Sequence, residues 1–90
     1  MNIVELLLSY AKEITEVQSQ PDNKQKFETL VVLTETALNT HANYMHDHHS
    51  PEDGMYVFIR DNSDHYLEHV NLIHDNALEE IKSFGSEVET

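Results

Sequence analysis

Cysteine is absent from this 90-residue chain, and glycine and proline occur only twice each. Without cysteine, no disulfide and no zinc–thiolate centre can staple a small fold. Sparse glycine and proline leave few breaks, and those present fall where helices would end. Basic residues are also scarce, with five lysines and arginines against 17 acids and a formal charge of −12. Such a field repels nucleic acid and anionic membranes and attracts basic surfaces. No long apolar run exists: the longest candidate, "IVELLL", is broken by Glu5 and followed by Ser9 and Lys12. Neither a signal peptide nor a membrane span is read, so the expectation is an intracellular, cytoplasmic protein.

Catalytic patterns are missing as well. The chain offers no Ser/His/Asp arrangement, no Gly-rich phosphate loop and no paired carboxylates in a recognisable cleft. The reading is therefore a non-enzyme that calls for no cofactor. Ninety residues make one domain with a marginal core, expected over residues 1–85. Helix packing, or a second copy of the chain, must supply its stability.

What is present is helical periodicity. Asn2 with Glu5 three residues on is a capping-box pattern, and Ile3, Leu7, Tyr10, Ile14 and Val17 follow as a heptad stripe. Pro21 ends this segment. Asp22 with Gln25 opens a second one, whose stripe runs through Phe27, Leu30, Val31, Thr34, Leu38, His41, Met45 and His48, ending near His49. Ser50-Pro51-Glu52-Asp53 reads as a third start, with serine as the cap and proline in the first turn. Met55, Ile59, Tyr66, Val70, Ile73, Ala77, Ile81 and Phe84 then form a third stripe, stopped at Gly85 and followed by an unstructured tail over 86–90. Asp61-Asn62-Ser63 interrupts this stripe, as a kink or as a fresh cap. The fold class is all-α: an antiparallel three-helix bundle with long second and third helices. Those helices outreach the first, so their ends carry uncovered apolar residues. A dimer joined through Tyr44, Met45, Met55, Tyr56 and Phe58 is the simplest cover.

Three features bear on function. Seven histidines are many for this length, and four lie within residues 41–49. Asp61, His65 and His69 are spaced by four and share a helix face, which makes them the candidate ligands of a metal-binding or metal-sensing bundle. They match no HExxH or Glu-x-x-His pattern, so ordinary solvated histidines are the plainer account. His41 sits on the core stripe, where a neutral, hydrogen-bonded histidine is expected, with the Asn62/Ser63 notch as its partner. His48 lies on that stripe too, or meets Glu52 across the turn. Finally, Asp61, Asp64, Glu68, Asp75 and Glu79 fall opposite the third stripe, and Arg60 is the one Arg or Lys between Lys26 and Lys82. Acids that merely solubilise a helix are usually interleaved with bases. This segregation points to a small acidic inhibitor or adaptor that docks on the basic surface of a protein, as a mimic of nucleic acid. A solvated helix face is the bland alternative.

Overall fold

The computed structural model describes the backbone of residues 2–89 and the side chains of residues 2–84. Four helices run through the described residues: α1 (Ile3–Gln18), α2 (Lys24–Asp47), α3 (Gly54–Asn62) and α4 (Asp64–Glu89). Among the described residues there is no strand. The all-α expectation holds, but the long third helix is divided in two. The division falls at Ser63, inside the polar notch read from the sequence. Ser63 Oγ donates to the Ile59 carbonyl, and Asn62 Nδ2 donates to the Phe58 carbonyl at 2.9 Å. Side chains that occupy carbonyls four residues back compete with the backbone ladder and loosen the helix there. Ser63 itself keeps a near-helical backbone (φ −100°, ψ −7°), so α3 passes into α4 without a loop.

Helix starts follow the chemistry of capping, with two shifts from the sequence reading. Asn2 Oδ1 accepts from the Glu5 N–H at 2.9 Å, as expected. At α2 the cap is Asn23, not Asp22: Asn23 Oδ1 accepts from the Lys26 N–H at 2.8 Å. Asp22 instead pairs with the Lys26 ammonium at 2.6 Å. At α3 the cap is Asp53, not Ser50. Its carboxylate accepts from the N–H groups of Met55 and Tyr56 at 3.0 and 3.3 Å, a charge-assisted cap that a serine cannot equal. Residues 48–53 are consequently a true corner, closed by the Asp53 N–H donating to the Ser50 carbonyl at 3.0 Å. At the far end, Gly85 does not stop α4, whose backbone stays helical to Glu89. The unstructured tail expected over 86–90 falls on residues whose side chains lie outside the described set, and Thr90 lies outside it altogether.

Two contacts fix the directions of the long helices. Phe27, at the start of α2, meets Phe84, late in α4, with ring centroids 5.9 Å apart. Tyr66, at the start of α4, donates its hydroxyl to the Leu7 carbonyl in α1 at 2.7 Å. So α2 runs antiparallel to α4 and lies against both α1 and α4. Ile14, Leu30, Ala37, Val70, Ile73 and Ala77 form the core, with Tyr10, Phe27, Val31 and Tyr66 packed around it. Each fully buried large aliphatic stabilises the fold by about 1.5–3 kcal/mol. Ala37 and Ala77, absent or minor in a periodicity argument, are completely enclosed and let α2 and α4 approach closely. Thr34 is buried among them, its hydroxyl donating within the helix to the Leu30 and Val31 carbonyls at 2.7 and 3.1 Å. The result is a rod of 56 × 20 × 18 Å. Its radius of gyration, 15.4 Å, exceeds the roughly 12 Å of a spherical domain this size, so much of each helix faces water.

Candidate functional site

Two surfaces come out of this packing: a charged stripe along α4 and an apolar trough at the α3 end.

The stripe follows from helix geometry. At about 100° per residue, Asp64, Glu68, Asp75 and Glu79 fall within an arc of about 60°, spread over ~22 Å of axis. The buried side of α4, carrying Val70, Ile73 and Ala77, faces the opposite way. All four acids are exposed. Among the described residues, Asp64 and Glu68 have no basic partner. Glu79 lies 3.7 Å from Lys82, and Asp75 lies 3.4 Å from the ring of His74. Asp61 belongs to a different element: it ends α3, across the Ser63 break, and is held by Arg60 Nε at 3.0 Å. That hydrogen bond, together with the carboxylate charge, pushes the Arg60 guanidinium above its ordinary range. Asp61 is therefore the most neutralised of the five acids, and the free negative field is centred on Asp64 and Glu68.

The trough forms where the first turns of α1 meet α3. Val4, Leu7, Leu8, Phe58, Ile59 and Tyr66 enclose a hollow of about 280 Å³. Phe58 is 52% exposed and Leu8 60% exposed at its edge, large values for bulky apolar side chains. Of the residues expected at a dimer interface, Phe58 is thus the exposed one, while Tyr44, Met45, Met55 and Tyr56 are half-buried. The corner explains part of that burial. The Tyr44 ring stacks on His48 at 4.3 Å between centroids, and burial followed by the nearby Asp53 carboxylate pushes its phenol above the usual range. Tyr56 lies under the Arg60 guanidinium at 5.9 Å.

The histidines separate into distinct environments. His65 and His69 are exposed on α4, and Asp61 lies beyond the helix break. Among the described residues no group of three or more His, Asp or Glu side chains gathers where a metal ion could be held. His48 is exposed, not buried: it caps α2 and its Nδ1 lies 3.2 Å from the Tyr44 carbonyl, rather than meeting Glu52. His49 Nδ1 lies 2.8 Å from the His46 carbonyl. His41, expected on the core stripe, is half-buried and lacks the expected partner. Its Nε2 is buried without a hydrogen bond among the described residues, and Asn62 Nδ2 and Ser63 Oγ donate to carbonyls of their own helix instead. Burial alone holds its pKa below the ordinary histidine value of 6.5.

Two groupings escaped sequence reasoning. His74 Nε2 reaches Glu35 Oε1 on α2 at 3.3 Å, tying the two long helices together at the surface. An antiparallel register through Phe27 and Phe84 predicts this pair, but only once the register is known. Lys26 is buried although charged, its ammonium on Asp22 and 5.4 Å from the Phe27 ring centroid. The i, i+4 spacing of Asp22 and Lys26 was the available signal.

No helix among the described residues is long and apolar enough to cross a membrane. The chain matches no family model, and no curated protein or solved structure matches it.

Proposed function

We propose that this chain is a small cytoplasmic, non-enzymatic binding protein whose acidic stripe docks on a basic protein surface, in the manner of a nucleic-acid mimic that inhibits a DNA- or RNA-binding protein. One observation carries the reading: four exposed carboxylates, Asp64, Glu68, Asp75 and Glu79, on one side of α4, the first two of them without a basic partner among the described residues. Successive steps of four and seven residues space them by about 6 and 10.5 Å along the axis. One nucleic-acid strand carries a phosphate per about 3.4 Å of axis. The stripe is a sparser row of the same sign, set on one side of a rod that a cationic groove can follow.

The test is affinity capture from cell extract on the wild-type protein and on Asp64→Asn/Glu68→Gln, at low and high salt. A specific nucleic-acid-binding protein should be retained by the wild type at low salt, released at high salt, and lost on the variant. Each neutralised charge should weaken binding by up to about 1 kcal/mol, mostly in the association rate. Retention that is indifferent to both salt and neutralisation would leave the acids as solvation alone.

Exposed Phe58 favours a second reading, a homodimer closing over Tyr44, Met45, Met55, Tyr56 and Phe58. Sedimentation at roughly 50 µM, where weak dimers are populated, measures it directly. No comparable observation favours the histidine-based metal reading.

A further inference from the structure

The apolar trough needs an occupant, and its chemistry narrows the choice. The hollow between Leu8 and Phe58 encloses about 280 Å³. Small-molecule sites begin at about 300 Å³ and carry convergent polar groups. This one does not have them: its three polar side chains, Asn62, Ser63 and Tyr66, donate to the Phe58, Ile59 and Leu7 carbonyls. A second concavity, bounded by Asn2, Val4, Gly54, Met55 and Phe58, continues from the first, sharing Val4 and Phe58 as walls. Two adjoining apolar hollows suit two bulky side chains from one face of an amphipathic helix, the pattern by which such a helix fills a groove.

Charge decides between a second copy and a different partner. The stretches that line the trough, residues 2–8 and 53–66, contain Glu5, Asp53, Asp61 and Asp64 against Arg60 alone, and Arg60 is already held by Asp61. A second copy would bring another −12 to the same surface. We propose that the trough between the first turns of α1 and α3 binds a cationic amphipathic helix of the partner, seating its aliphatic or aromatic side chains between Leu8 and Phe58. Apolar anchors supply the affinity and rim charges supply orientation. The proposal rests on the reading above only in taking the partner to be basic.

Two fluorescein-labelled peptides of equal charge serve as probes. One carries lysine with leucine at i, i+3, i+4 and i+7; in the other every leucine is serine. Binding to the full chain is read by anisotropy, with circular dichroism and melting as controls for folding. The leucine peptide should bind at least tenfold more tightly than the serine peptide. Leu8→Ser/Phe58→Ser should abolish that advantage, leaving the serine peptide and the melting temperature unchanged. Equal affinity of the two peptides for the wild type, or an advantage that survives the double substitution, would overturn the proposal. So would a wild type that sediments as a dimer and a variant that sediments as a monomer, since the second copy would then be the occupant. The acidic stripe fails separately: if Asp64→Asn/Glu68→Gln leaves serine-peptide binding intact while the leucine advantage still needs Leu8 and Phe58, the trough stands and the stripe reading falls.

Discussion

The two ends of the rod are built differently. Where α1, α2 and α4 run side by side, the interior is closed: Ile14, Leu30, Val70 and Ala77 are each at most 3% exposed. At the other end the 9-residue α3 contributes Ile59 alone to the buried set and leaves Phe58 half in water. Both ends come from the same kind of amphipathic pattern. The difference is that three long helices share the first core, whereas the short α3 touches each of its neighbours only sparsely. A periodic stripe secures burial only where another element is long enough to receive it. Apolar residues beyond that length stay available for other molecules.

Substitutions can break this contrast or sharpen it. Ile14→Ala should be the most damaging, costing about 2–5 kcal/mol in denaturant unfolding because the closed core cannot collapse around the void. Phe58→Ser should change stability by no more than about 0.5 kcal/mol, as surface positions do. Comparable losses at the two positions would mean that α3 is as tightly packed as the bundle.

Tyr66→Phe probes the seam between the ends. It removes the bond to the Leu7 carbonyl and should cost on the order of 1 kcal/mol, more if that carbonyl is left dry. Burial, and then the neighbouring Tyr10, push the Tyr66 phenol up to about 12. A raised phenol favours the protonated form in the folded state. Its contribution is thus complete below pH 10 and lost as pH rises from there through about 12. The alkaline limb of the stability curve should flatten in Tyr66→Phe, and an unchanged limb would remove Tyr66 from the account.

The smallest effect concerns His41. Its folded-state pKa lies below 6.5, so the unfolded chain binds the proton more readily. The stability tied to neutral His41 is present above pH 6.5 and declines as pH falls from there through the lower folded value. His41→Leu should flatten that acid limb and, by removing an unpartnered buried nitrogen, leave neutral-pH stability equal or slightly higher. Acid titrations of the two proteins that superimpose would exclude His41 as the pH-sensitive group.

How much of this was legible in the sequence varies with the physics involved. Stripes of period 3.6 located the helices and most of the core because burial is read from one helix at a time. The break at Ser63 was visible as a polar interruption, though whether Asn62 and Ser63 bond backward or cap forward is a matter of rotamers. Caps slipped by one residue at Asn23 and by three at Asp53, since Asp22, Asn23, Ser50 and Asp53 are all competent acceptors and the tertiary path selects among them. Ala37 was missed because alanine counts little in a hydrophobic pattern, yet its small size is what the α2–α4 contact requires. The acids of α4 were readable as a group, whereas the neutralisation of Asp61 by Arg60 was not. The trough could not be read at all, because it exists only where α1 and α3 meet.

The unequal helix lengths also set the order in which this chain comes apart. Between Tyr66 and Ala77, amide protons of α4 lie where α1 and α2 both shield it, held by Leu7 at one end and Ile14 and Leu30 further along. Exchange with solvent there should demand near-global unfolding. In α3 the neighbouring helices pack only sparsely, so opening costs less and exchange runs faster. A graded pattern of deuterium uptake, slowest in the middle of α4 and fastest over Gly54–Asn62, would make the α3 end a part of the molecule that samples open forms many times for each unfolding of the bundle.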